Sequence, residues 1–281
     1  MATQYRELAR VTVGSAGSDG DGVKLTRLIG NGKVDMLDPF LLLDSFESNQ
    51  PQDYIGGFPS HPHRGFETVT YMLAGKMRHK DSMGNEGVIE PNGVQWMTAG
   101  KGIVHSEMPE QTDGLLHGLQ LWVNLPLSEK MTAPAYQEFD AKAVTKSMFG
   151  QHSEVRIVSG QVDSGAKGVV ENQYVKPTYL DVSLHQEDEF LQSLPVGDNA
   201  FIFVINGSVK VGQSDKTLRS RQLGILTQGD LVKIEATEAD TRFVLVSAKP
   251  LNEPVFRGGP FVMSTKRDLM QAFYDYQNNQ F

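Results

Sequence analysis

The chain has 281 residues, no cysteine and a net charge of −8. Disulfides, thiolate nucleophiles and cysteine-based zinc sites are thereby excluded, and the acidic balance argues against direct nucleic-acid binding, which needs a basic face. The opening MATQYRELARVTV has no apolar run for a secretory signal, and no stretch is long enough to span a membrane, so a cytoplasmic protein is expected.

In chain order, short alternating or β-branched runs recur between Gly, Asn, Asp and Pro: ARVTV, VKLTRLI, ETVTYML, GLQLWVNL, EVRIVSG, TYLDVSL, NAFIFVI, DLVKIEA and TRFVLVSA. This pattern predicts an all-β sandwich or barrel. A weak helical pattern falls on NLPLSEKM, residues 124–131. The basic run KTLRSR, with Lys216, Arg219 and Arg221, reads as a solvated hairpin. Near the C-terminus, STKRDLMQAFYDYQ predicts a helix with Thr265 as its cap and Asp268 in its first turn. Leu269, Phe273 and Tyr276 share one face of it, which should dock on a sheet.

The chain also repeats. YMLAGKM (71–77) resembles FVINGSV (203–209), and the turn glycines Gly75 and Gly207 lie 132 residues apart. PNGVQWMTA (91–99) resembles TQGDLVKIEA (227–236), with Gly93 and Gly229 separated by 136. Two similar offsets predict two copies of one β domain. Pro126 and Pro134 place the boundary between about 130 and 145, giving domains 1–135 and 136–281.

His61 and His63 stand at i and i+2, as do His105 and Glu107. On a strand such pairs point the same way, about 6.6 Å apart. Two pairs on neighbouring strands would offer three imidazoles and a carboxylate to one ion. Such a donor set suits Fe(II), and also Mn, Ni, Co, Cu or Zn. It leaves two exchangeable positions on a six-coordinate metal, the open face a dioxygenase needs. Glu67 competes as the carboxylate ligand, but it lies roughly 13 Å along a straight strand from His63 and would need a turn at Gly65. Glu107 is preferred, and Glu67 reads either as orienting a ligating imidazole or as an ordinary hydrogen-bonded residue. His79 reads as a hairpin tip, His152 and His185 as structural or solvated, and His117 as a structural residue close to a cavity. Phe58, Phe66, Trp96, Met97 and Met108 read as core, some of them lining an apolar pocket. Carried across the repeat, the ligand positions fall on Ser193, Pro195, Thr241 and Phe243, so the second domain is expected to be metal-free.

The stretch from GGFPSHPHRGF to HSEMPE (56–110) resembles the signature of pirins, members of the cupin superfamily. DPFLLLDSF (38–46) and GGPFVMSTKRDLMQAFYDYQ (258–277) resemble the pirin ends, and the likeness is weakest from about 136 to 200. The resemblance implies two tandem cupin (double-stranded β-helix or jelly-roll) barrels with a short C-terminal helix. It implies one metal, usually Fe(II), held in the N-terminal barrel by His61, His63, His105 and Glu107. It also implies one of two roles. One is a quercetin 2,3-dioxygenase acting on a small flavonol-like aromatic and O2, with Glu107 as base for the substrate hydroxyl. The other is an iron-binding redox sensor that acts through a regulatory protein partner. A monomer is expected.

Overall fold

The computed structural model describes residues 3–281 and is built almost wholly from β-strands. Each of two compact units contains a seven-stranded and a four-stranded antiparallel sheet.

In the first unit the large sheet runs in the order Ala135–Phe139, Val94–Thr98, Phe66–Ala74, Leu116–Asn124, Phe40–Ser48, Val23–Ile29 and Ser15–Asp19. Its small sheet runs Phe58–His63, Ile103–Pro109, Met77–Asp81 and Glu86–Ile89. Side chains from both pack together: Leu25, Phe46 and Met72 of the large sheet join Met77 and Ile89 of the small one in one buried cluster.

The second unit repeats this plan strand for strand. Its large sheet runs Leu8–Thr12, Leu223–Leu226, Asn199–Asn206, Thr241–Ala248, Thr178–Leu184, Ser153–Ser159 and Thr145–Phe149. Its small sheet runs Glu189–Ser193, Leu231–Ala236, Ser208–Val211 and Thr217–Arg219. The expected repeat is therefore present, and Gly75 and Gly207 mark equivalent turns, each with φ of 75°. The second sequence match slips by one strand. The counterpart of Val94–Thr98 is Leu223–Leu226, whereas Leu231–Ala236 corresponds to Ile103–Pro109. The slip arose because both segments follow a glycine turn and read alike as short apolar runs.

The expected division at 135/136 also needs correction. Ala135–Phe139 pairs with Val94–Thr98 and so completes the first unit, which extends to Lys142. Leu251–Phe281 returns to the first unit, while the N-terminal segment up to Gly14 belongs to the second, where Leu8 pairs with Leu226. Edge pairing decides this. A strand joins the sheet whose free backbone groups it can satisfy, wherever it lies in sequence.

The helix covers Lys266–Gln277, capped by Thr265, whose hydroxyl accepts from the Asp268 amide at 3.0 Å. Its inner face, with Leu269, Ala272 and Phe273, packs on the small hairpin Phe256–Gly258/Phe261–Met263, where the Phe261 and Phe273 rings are 4.9 Å apart. Residues 124–131 form only a single 3-10 turn, Leu127–Glu129.

Candidate metal centre

His61 and His63 lie near the end of the strand Phe58–His63, which pairs with Ile103–Pro109 so that His105 stands opposite His61. Their three ring centroids are 4.3 to 4.9 Å apart, and one ligand atom from each lies within 4.8 Å of the others. The sequence-predicted histidine triad is thus assembled. Gly65 makes the assembly possible. The chain reverses there with φ of 88°, and a Cβ would meet the Val262 carbonyl at 2.0 Å, so an L side chain is excluded sterically and conformationally.

The tautomers follow from the partners. His61 Nδ1 is 2.8 Å from the Pro59 carbonyl and His63 Nδ1 is 3.3 Å from that of Pro260. Carbonyl oxygens only accept, so both Nδ1 atoms carry the ring proton. Two bare Nε2 lone pairs then face each other at 3.1 Å. The pair is unfavourable unless a proton or a cation lies between them. Burial, together with neighbouring His61, pushes the His63 imidazole down to about 3, which weighs against the proton. Burial and the neighbouring rings likewise hold His105 well below its ordinary value. The buried His105 Nε2 has no hydrogen-bond partner among the described residues. Three imidazoles brought together in this way fit a divalent metal.

Glu107 follows on the same strand, and the register shifts between it and His105. Its carboxylate contacts Thr70 Oγ1 at 2.6 Å and accepts from Gln120 Nε2 at 3.0 Å. It lines a cavity of about 540 Å³ together with His61 and His63. Glu67 is buried and accepts from the Thr98 hydroxyl at 2.8 Å.

His79 is not a hairpin tip. It lies on the strand Met77–Asp81, fully buried, while the turn falls at Ser82–Asn85. His79 Nδ1 is 3.5 Å from His105 Nδ1, and its Nε2 is 3.2 Å from Asp81 Oδ2. Burial pushes the Asp81 carboxyl up, but hydrogen bonds from Asn85 and His79 outweigh this and hold it below its usual range. With His105 Nδ1 donating to His79 and His79 Nε2 donating to Asp81, the chain of bonds leaves His105 Nε2 free as a ligand atom. Sequence reasoning missed this, although His79 and Asp81 show the same i, i+2 spacing as the ligand pairs. His117 is buried on Leu116–Asn124 and does not line the cavity.

Phe58 lines the cavity as expected, whereas Phe66, Trp96, Met97 and Met108 do not. Its other apolar walls are Leu25, Leu42, Phe46 and Trp122. The Trp122 ring lies 5.2 Å from His63 and 4.4 Å from Phe66. Gly118 admits the Phe46 ring, which a Cβ would meet at 2.3 Å.

The strand register explains why the described residues of the second unit form no such cluster. Superposed on the turns at Gly75 and Gly207, the pairings carry His61 to Gln192, His63 to Leu194, His105 to Val232 and Glu107 to Ile234. These replace the positions expected from sequence offsets. Leu194, Val232 and Ile234 belong to the second unit's apolar core.

Residues 22–123 match the Pirin family, and residues 179–281 match the Pirin C-terminal cupin domain. A pirin-like protein of Caulobacter vibrioides is 49% identical over 98% of this chain and 99% of its own. The chain belongs to the pirin family. Pirin of Homo sapiens is 42% identical over 93% of this chain and 89% of its own length. The crystal structure of quercetin 2,3-dioxygenase from Acinetobacter baumannii superposes with a TM-score of 0.90 at 34% identity, over 99% of this chain and 98% of that one. Two cupin domains and a short C-terminal helix are thus the architecture of this pirin. Among the described residues no helix is long and apolar enough to cross a membrane.

Proposed function

We propose that this pirin is a metal-dependent dioxygenase that opens flavonols such as quercetin, with a divalent ion, Fe(II) in the native state, held by His61, His63, His105 and Glu107. The observation that carries this reading is the cluster of His61, His63 and His105 ligand atoms, two of whose residues line an aromatic-walled cavity that Glu107, outside that cluster, also lines. The structural likeness to a quercetin 2,3-dioxygenase supports the substrate class. A bound metal would supply Lewis acidity and exchangeable positions for a substrate's oxygen donors and for O2.

The protein's own groups have separate tasks. His61 and His63 are fixed in one tautomer by the Pro59 and Pro260 carbonyls, so their Nε2 atoms stay available. Glu107, oriented by Thr70 and Gln120, accepts the proton of the substrate's 3-hydroxyl. Trp122, Phe46 and Phe58 cover the faces of a flat substrate and exclude water. The test is O2 uptake and product analysis with quercetin on protein of known metal content. Turnover that depends on metal and is abolished in His61→Ala supports the reading. Absence of O2 uptake by the metal-replete protein overturns it.

A further inference from the structure

One row of polar side chains crosses the first unit's large sheet. Strand pairing places Gln95 beside Thr70, Thr70 beside Gln120, Gln120 beside Asp44 and Asp44 beside Arg27. Of these, Gln120, Asp44 and Arg27 line the 540 Å³ cavity, as does Glu107, which is bonded to Thr70 and Gln120. Apolar residues flank the row. Trp122 and Leu42 pair on one side, and Phe46 packs over Gly118 on the other. A polar line between two apolar walls is a site for a flat ring system whose edge carries oxygen atoms.

The far end of this row is built. Arg27 Nε and one terminal nitrogen bind the two Asp44 oxygens at 2.9 and 2.7 Å, and Asp19 holds the same guanidinium at 2.9 Å. Asp44 is 4% exposed. Two hydrogen bonds leave about two of its four lone-pair sites able to accept. Strands are spaced about 4.8 Å apart, so Asp44 lies two spacings, about 10 Å, from Thr70. The sheet thus acts as a ruler.

We infer that Asp44, held by Arg27, is a distal recognition point that accepts a hydrogen bond from a phenolic hydroxyl, two strands along the row from Thr70, which holds Glu107. This selects flat polyphenols with a remote hydroxyl over unsubstituted analogues. The inference rests on the flavonol reading and extends it to specificity.

The experiment measures dissociation constants by quenching of tryptophan fluorescence in metal-loaded protein. The probes are 3-hydroxyflavone, its derivatives hydroxylated on the pendant or the fused ring, and the O-methyl ethers of those derivatives. At least one hydroxylated derivative is expected to bind about tenfold tighter than 3-hydroxyflavone, as a hydrogen bond to a charged acceptor allows. Its methyl ether should lose that gain. In Asp44→Asn the ratio should fall toward unity. Equal binding of the free hydroxyl and its ether in the wild-type protein overturns the inference, without needing any variant to fold. So does an unchanged ratio in Asp44→Asn. Both of those results leave the flavonol reading standing. If none of the flavonols binds, that reading falls and takes the inference with it.

Discussion

His79 stands directly behind His105, Nδ1 to Nδ1 at 3.5 Å, and passes the contact on to Asp81. Groups that hold the outer nitrogen of a ligating imidazole commonly change metal affinity by 10- to 100-fold. His79→Ala should therefore weaken divalent-metal binding by roughly that factor in competition against a chelator. His79→Gln, which retains polar atoms at the position, should recover part of the loss. A purely structural role would lower the stability of the metal-free protein and leave affinity unchanged.

Metal should also stabilise the fold. A ligand that binds only the native state at 100 times its Kd adds about 2.7 kcal/mol. Thermal melts with and without added Fe(II), Ni(II) or Mn(II) under anaerobic conditions should show the shift. It should vanish in His63→Ala and in His105→Ala.

Acid should destabilise the metal-free protein through His63. The native imidazole titrates at about 3, below its ordinary 6.5, so the unfolded chain binds a proton that the folded one does not. This stability is fully present above pH 6.5 and is lost as pH falls toward 3. The loss should reach about 2 kcal/mol by pH 5. Urea midpoints at pH 7.5 and 5 measure it, and His63→Gln should flatten the dependence.

Gly65→Ala should disturb fold and site together. The positive φ alone costs an L residue about 1–2 kcal/mol, and the Cβ would collide with the Val262 carbonyl at 2.0 Å. A destabilisation of at least about 2 kcal/mol is expected, with weakened metal binding because His63 lies two residues upstream. Unchanged melting and affinity would contradict the role given to this turn.

Much of this architecture was legible in the sequence. Alternating runs marked the strands, Thr265 marked the helix cap, and the i, i+2 histidines marked the cluster that could hold a metal, because each of these signals is local. What escaped depends on distant pairing. His79 looked like a turn residue because its strand, MRHKD, is polar, and it is buried by pairing with strands on both sides and by the Tyr136 ring. Thr70, Gln120, Asp44 and Arg27 carry no shared spacing, since they are neighbours across strands rather than along one. Trp122 lay in a run that read simply as a strand. The repeat was visible at Gly75 and Gly207, where the turn needs glycine, and was lost one strand later, where Gly93 and Gly229 serve different turns.

The exchange of terminal strands has a consequence for synthesis. Leu8 is made before its partner Leu226, which follows more than two hundred residues later. At 5–20 residues per second the first strand waits about 10–40 s for its place. Through that interval Leu223–Leu226 has not been made, and the Leu8–Thr12 segment has no native ladder to join. Its middle residues, Ala9, Arg10 and Val11, are exposed, and the charge of Arg10 at their centre discourages pairing with the wrong chain. The same few residues thus serve as a delayed closing strand for one barrel and, until then, as a guarded unpaired segment.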